Sequence, residues 1–163
     1  MNRWLELIHE FAPDELTLLA VVEKLSDNGI SIVWRGKGEI YKRSIPFLIQ
    51  NEIYILRRLQ HTGYVPRAMR LDRFTIAMDD LGESQPVTDV DKFMQHKQRI
   101  LGELGAYGIR HGDLTTAAVI VKDNHPYIID WAESRLACDP RPDKRPPNDE
   151  YWINKTWEQL CKQ

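Results

Sequence analysis

The sequence predicts an α+β protein built as two small lobes within one domain. Strands and one helix are predicted in the first half, and mostly helix with one short hairpin follows, a segregation typical of α+β folds. The 163 residues suffice for one domain with a real core, and 42% hydrophobic with 28% charged residues is typical of a soluble globular protein. We expect a single domain over 1–163, with lobes at about 1–79 and 84–163.

Two helices are predicted to lead the first lobe. Apolar residues between positions 4 and 11 recur at helical spacing, and Pro13 closes that segment. Asp14 can cap a second helix, which keeps its apolar spacing as far as Leu25 and stops at the turn signal Asn28-Gly29.

The rest of the first lobe is predicted to be a small sheet with one helix. Residues 30–34 and 38–42 form two strands of a hairpin, with a glycine in the connecting loop. A helix over 46–61 follows, because its apolar residues fall on one face. Two further short strands are expected at 67–71 and 73–78.

The second lobe is predicted to be mainly helical. A long helix is expected at about 90–107, followed by short apolar strands at 119–121 and 127–129 joined by a turn. Residues 138–148 are rich in proline and charge, which favours a surface loop, and a last helix is expected at about 149–160.

Two acidic residues, Asp113 and Asp130, give the clearest chemical signal. Each follows a short apolar segment that can hold it rigidly, and Gly112 permits the backbone turn that would point Asp113 into a cleft. Carboxylates placed in this way can divide the chemistry between them. One accepts a proton or orients a hydroxyl, and the other binds a divalent cation.

The segments around these two acids resemble a known pair of loops. His111-Gly112-Asp113-Leu114, a hairpin, and then Ile129-Asp130-Trp131 are similar to the catalytic and metal-binding loops of the protein-kinase-like fold. The central glycine is typical of its small atypical branch, which includes RIO kinases, the kinase of the tRNA-threonylcarbamoylation complex, lipopolysaccharide kinases and aminoglycoside phosphotransferases. Residues 111–116 are especially similar to the tRNA-complex kinase. The resemblance implies a minimal two-lobed kinase-like fold, with a β-rich N-lobe and a truncated helical C-lobe.

The resemblance continues in order along the first lobe. Lys42 ends a strand, as the phosphate-binding lysine of kinases does, and Glu52 lies in the next helix like the glutamate that holds this lysine. Met78 resembles the gatekeeper, and Asp80 belongs to the hinge that follows, whose backbone would bind adenine.

The same resemblance implies a role for Lys42 and for four residues of the second lobe. Asp113 would position or deprotonate the acceptor hydroxyl, and Asp130 would bind the magnesium ion that bridges the phosphates of ATP. Lys42 would contact the α and β phosphates. His111 would have a structural role in the loop, and Asp149 at the start of the last helix would brace the loop from below.

Two departures from the kinase pattern bear on the activity of the protein and not on its fold. The position five residues after Asp113, where kinases carry a metal-binding asparagine, holds Ala118, and a methyl group cannot ligate a hard cation. The segment 26–31, where a glycine-rich loop is expected, contains only Gly29. Three explanations stay open for Ala118: a natural pseudokinase, a weak kinase with one metal or a substitute ligand, or an engineered inactive form.

These observations predict an ATP- and magnesium-dependent phosphotransferase directed to serine or threonine, whose activity Ala118 weakens or abolishes. The alternative is a pseudokinase that binds nucleotide or a partner and regulates it. In either case we expect ATP and a protein, as substrate or regulated partner, to be the binding partners. A third reading treats the leading helices as a helix-turn-helix for nucleic acid.

Charge and cysteine usage favour a cytoplasmic protein. Lys plus Arg total 22 against 24 Asp plus Glu, so the net charge of -2 argues against nucleic acid or an anionic membrane as partner. The cysteines, Cys138 and Cys161, follow no metal or disulfide spacing. No signal peptide is predicted, and the longest apolar stretch, at 16–22, is too short to span a bilayer.

Overall fold

The computed structural model describes residues 23–36, 38–136, 138–139 and 148–162. The helix predicted between residues 4 and 11, the first part of the second helix and most of the loop predicted at 138–148 lie outside this range. The chain divides into two compact units. Unit 1 comprises Met1–Arg57 and Arg67–Asp80, and unit 2 comprises Arg58–Pro66 and Leu81–Gln163.

Unit 1 contains an antiparallel five-stranded sheet with the strand order β1-β2-β3-β5-β4. One helix, α1, follows β3 directly. The elements are β1 (Glu23–Asp27), β2 (Ser31–Arg35), β3 (Glu39–Ser44), α1 (Pro46–Leu59), β4 (Ala68–Arg70) and β5 (Thr75–Asp79). The predicted strands and helix from residue 30 onward are therefore confirmed, apart from one or two residues at their ends.

The second predicted helix is wrong at its carboxyl end. Glu23–Asp27 form β1, an exposed edge strand paired with β2, and no helix runs to Asn28. The apolar spacing that included Leu25 indicated a helix, but pairing with the hydrophobic strand β2 determines the local structure instead.

The two faces of the sheet in unit 1 carry different side chains. Ile32, Trp34, Tyr41 and Ala77 form one buried apolar cluster. Because side chains alternate along a strand, Lys42 lies on the opposite face, where α1 supplies polar partners as well as its own buried apolar residues.

Unit 2 is built around two helices, as predicted. They are α2 (Val90–Tyr107) and α3 (Asp149–Leu160), and two short antiparallel sheets accompany them. The Asp89 side chain caps α2 by accepting from the Lys92 amide at 2.9 Å, and Gly108 ends the helix at φ 58°. The sheets pair β6 (Ile109–Arg110) with β9 (Arg135–Leu136), and β7 (Val119–Lys122) with β8 (His125–Ile128).

A tight turn joins β7 to β8. Asp123 and Asn124 both have positive φ, at 52° and 60°, which is the type I′ geometry that suits a two-residue hairpin. Asn124 also accepts hydrogen bonds from the amides of Thr88 and Asp89, at 2.8 and 2.9 Å, so the turn is tied to the start of α2. Across the described residues, no helix combines the length and apolar character that a bilayer crossing requires.

Candidate functional site

Lys42 and Glu52 form a buried ion pair in unit 1. Lys42 Nζ lies 2.8 Å from Glu52 Oε2, and the two side chains are 8% and 1% exposed. Lys42 lies inside β3, which continues to Ser44, so the expectation that it ends the strand is wrong by two residues. Glu52 projects from α1 among buried apolar residues of the same helix: Ile49, Ile53 and Leu56.

This ion pair is poorly explained by stability alone. Removing two charges from water costs several kcal/mol per ion, and an apolar pair of similar volume often serves a fold equally well. A lysine held by a buried carboxylate is instead fixed in position with its charge retained. Such a group can bind an anion, and the phosphate-binding role of Lys42 stays a prediction.

In unit 2 the strands β6 and β9 hold the loop that carries Asp113. Asp113 is half-buried and follows Gly112, whose φ of 81° lies in the left-handed region that glycine adopts without strain. The carboxylate of Asp149 accepts hydrogen bonds from the amides of His111 and Gly112, one on each oxygen. The start of α3 is therefore bonded to this loop through Asp149.

His111 connects this loop to the segment before Asp130. Its Nδ1 accepts a bond from the Asp113 amide at 3.4 Å, and its Nε2 lies 2.9 Å from the carbonyl oxygen of Ile129. A carbonyl can only accept, so Nε2 is the ring nitrogen that donates to Ile129. His111 is fully buried against Trp131, with ring centroids 4.6 Å apart, which supports the predicted structural role.

Asp130 has an unusual backbone conformation. It is exposed, with φ 63° and ψ 57°, and it precedes the 3-10 turn Trp131–Glu133. Trp131 fixes this turn through a bond from its indole nitrogen to the Ile128 carbonyl at 2.9 Å. A non-glycine residue held in the left-handed region is a common feature of functional sites, because the surrounding structure must maintain the strain.

Ala118 occupies a backbone junction between the two acidic loops. It ends the 3-10 turn Thr116–Ala118, is 4% exposed, and its carbonyl accepts from the Ile129 amide at 2.9 Å. The side chain offers no oxygen. Within the described residues, no group of three or more His, Cys, Asp or Glu side chains is arranged to hold a metal ion.

The turn between β1 and β2 uses its own amides. Asp27 accepts from the Gly29 amide at 3.1 Å, while Asn28 accepts from the amides of Ile30 and Ser31 at 3.0 and 2.7 Å. A glycine-rich phosphate loop presents such amides to its ligand. In this turn the amides already bond to side chains of the turn itself, and one of these is the carboxylate of Asp27. The pair Asp27-Asn28 is the sequence signal for this turn, because Asp and Asn side chains accept hydrogen bonds from nearby backbone amides in turns.

The hinge residues show one feature that the sequence did not reveal. Met78 is half-buried in β5. The Asp80 amide donates to the Gly38 carbonyl at 3.1 Å, and the Asp80 carboxylate lies 2.8 Å from Arg35 Nε. Because the Asp80 amide already donates to the Gly38 carbonyl, any contact between the Asp80 backbone and adenine would use the Asp80 carbonyl oxygen. The nucleotide-binding role of both residues stays a prediction.

The predicted residues thus form two sets. Lys42 and Glu52 are brought together in unit 1, whereas His111, Asp113, Asp130 and Asp149 belong to one connected loop system in unit 2. Sequence reasoning missed Thr156, whose hydroxyl lies 3.4 Å from the Leu114 carbonyl and adds a second contact from α3 to this loop.

A small sheet with a helix-held lysine, followed by a helical unit with two braced acidic loops, defines a protein-kinase-like domain. The family model described as RIO domain matches residues 37–142, more than half of the chain. The protein therefore belongs to the RIO domain family, an atypical kinase-like group.

Solved structures agree with this assignment. The chain is similar to the Rio2 kinase of Chaetomium thermophilum, solved as an ADP/Mg²⁺-phosphoaspartate complex, with a TM-score of 0.61 at 15% identity. The match covers 90% of this chain and 56% of that one, so this chain spans little more than half of the Rio2 kinase chain. At that identity the likeness shows the fold. No curated protein matches the sequence.

Proposed function

We propose that this chain is an ATP- and magnesium-dependent phosphotransferase of low activity that acts on a serine or threonine hydroxyl of a protein. The observation that carries the proposal is the buried Lys42–Glu52 ion pair, because its cost to folding is balanced by a use for a fixed positive charge. Lys42 would bind the α and β phosphates, and Asp113 would orient or deprotonate the acceptor hydroxyl. We expect it to act in the cytoplasm.

The donor set suits magnesium with few protein ligands. Mg²⁺ is commonly held by one or two carboxylates together with phosphate oxygens and water. Asp130 is exposed and supplies a hard oxygen donor, whereas Ala118 supplies none. When bound, the ion would neutralise charge on the phosphates. With one protein ligand instead of two, we infer weaker metal binding and slower transfer than in a kinase that retains the asparagine.

The test combines ATP binding with transfer of the γ-phosphate. Binding is measured by calorimetry with and without magnesium, and transfer with radiolabelled ATP and a generic basic protein substrate such as histone. We expect Asp113→Ala to abolish transfer while ATP binding persists. Ala118→Asn should raise transfer and strengthen the magnesium dependence of binding. Absence of ATP binding in both the wild type and Ala118→Asn would refute the proposal.

A pseudokinase is the second candidate, and two observations favour it. Ala118 lacks a metal-binding atom, and the amides of the β1–β2 turn are occupied by Asp27 and Asn28. If ATP binds but no phosphate is transferred until asparagine replaces Ala118, the chain is a nucleotide-binding regulator of a protein partner.

The likeness of residues 111–116 to the kinase of the tRNA-threonylcarbamoylation complex leads us to propose that this chain belongs to that subgroup of the kinase-like fold.

A further inference from the structure

The outer strand of the sheet in unit 1 leaves one side without a neighbouring strand. Among the residues that the structure describes, β4 is the last strand in the order β1-β2-β3-β5-β4 and pairs with β5 alone. Two hydrogen bonds fix which residues of this segment face β5. The Asp79 amide donates to the Arg67 carbonyl, and the Leu71 amide donates to the Thr75 carbonyl, both at 3.0 Å.

The register then determines which backbone groups point outward. In an antiparallel pair, hydrogen-bonded and non-hydrogen-bonded residues alternate along each strand. Arg67, Met69 and Leu71 are therefore bonded to β5. The amide and carbonyl groups of Ala68 and Arg70 point to the open edge, where a further strand would bond to them.

The side chains along this edge have two distinct characters. Met69 and Leu71 lie on one face and are 54% and 39% exposed, which is unusual for apolar residues on an edge strand. Arg70 lies on the other face. Its guanidinium donates to the Gln50 side chain at 2.6 Å and to the Asp72 carbonyl at 2.8 Å, both neutral acceptors.

We propose that the β4 edge, residues 67–71, binds an extended segment of a partner protein in which acidic and apolar residues alternate. Such a segment would add a sixth strand to the sheet, with its backbone bonded to Ala68 and Arg70. Its apolar side chains would cover Met69 and Leu71, and its carboxylates would face Arg70. The edge segment 67–71 contains two arginines and no acidic residue. Arg67 already lies 2.9 Å from the Asp79 carboxylate on β5, so Arg70 is the charge that favours an acidic partner.

The same charges argue against a second copy of this chain on the edge. Pairing β4 with β4 would bring the Arg70 side chains of both copies to one seam, and like charges facing each other across a strand pair are destabilising. Charge by itself could simply protect an edge strand from pairing. Two exposed apolar residues on one face have no such protective effect, and they match the alternation of an added strand.

The experiment measures binding of a fluorescein-labelled ten-residue peptide of alternating glutamate and valine by fluorescence anisotropy. We expect saturable binding to the full chain. Met69→Glu places a charge on the apolar face and should weaken binding by at least about tenfold. Val90→Glu is the matched control, because Val90 is a 46% exposed apolar residue on α2 in unit 2, and it should bind as the wild type does.

Amide exchange provides a second readout that a merely electrostatic contact would not change. Bound peptide should slow hydrogen exchange at the amides of Ala68 and Arg70, while the Met69 amide, already bonded to β5, should change little. Equal binding of a block peptide with all glutamates preceding all valines would overturn the proposal. So would absent binding, unchanged binding in Met69→Glu, or a dimer of the chain that Met69→Glu dissociates in sedimentation.

Discussion

Lys42 Nζ and Glu52 Oε2 lie 2.8 Å apart in a nearly solvent-free setting, with side-chain exposures of 8% and 1%. Each charge therefore depends on the other. Loss of one partner leaves an isolated buried charge, whereas loss of both leaves a site that apolar groups can fill.

The first prediction separates the effects of this pair on stability and on ligand binding. Lys42→Met should lower the free energy of unfolding by about 3–5 kcal/mol, because the Glu52 carboxylate stays buried without its partner. Adding Glu52→Leu should recover most of that loss. Both variants should lose ATP affinity. Urea unfolding and calorimetry measure the two quantities, and ATP binding retained by the stable double variant would contradict the role of Lys42.

The second prediction concerns the hydrogen bonds between Asp149 and the loop that carries Asp113. Its two oxygens accept from two buried amides, those of His111 and Gly112. Asp149→Asn retains one acceptor and leaves one amide unsatisfied, which should cost about 1–3 kcal/mol in urea unfolding. Glu150→Gln is the matched control at the next, exposed position and should change stability little. Equal losses in both variants would show that helix-terminus charge, not these hydrogen bonds, is responsible.

The third prediction is a loss of stability in mild acid. The pKa of His96 is lowered from its ordinary value of 6.5, first by partial burial and then by repulsion from His125, Arg99 and Lys92. The His96 ring meets the ring of His125 edge to face, with centroids 4.8 Å apart and planes at 75°, and its Nδ1 is 3.0 Å from the Tyr64 hydroxyl.

Because the folded pKa is lower, the unfolded chain binds this proton first as the pH falls. The contribution of His96 to stability is therefore complete above pH 6.5 and is lost as the pH falls below 6.5 toward the folded pKa. His96→Gln keeps a partner for Tyr64 and should flatten the pH dependence of the unfolding midpoint in that window. An unchanged pH profile in this variant would refute the assignment to His96.

Apolar spacing was sufficient to predict the helices of unit 2 to the residue. The structure adds the caps of α2, Asp89 at its start and Gly108 at its end, which agree with that spacing. The Lys42–Glu52 pairing followed from the kinase resemblance. In contrast, β6 and β9 are two-residue strands that pair residues 109–110 with 135–136, and no local pattern predicts a pairing so distant. β1 was mistaken for helix for a similar reason, since its partner β2 decides its conformation.

The backbone conformation of Asp130 was also invisible in the sequence, and it leads to the last prediction. At φ 63° a residue with a Cβ is strained, by roughly 1–2 kcal/mol for most side chains and less for aspartate. Asp130→Gly relieves this strain, whereas Asp130→Ala retains it and loses the carboxylate as well. The glycine variant should therefore be about 1 kcal/mol more stable than the alanine variant in urea unfolding.

Both variants lack the oxygen donor, so they should lose the magnesium-dependent part of ATP binding to the same extent. ATP binding measured without magnesium should stay close to that of the wild type in both. If the two variants differ in magnesium dependence, backbone geometry rather than the carboxylate of Asp130 controls the metal. If both weaken ATP binding equally with and without magnesium, Asp130 is not a metal ligand, and its left-handed conformation serves only to start the turn at Trp131.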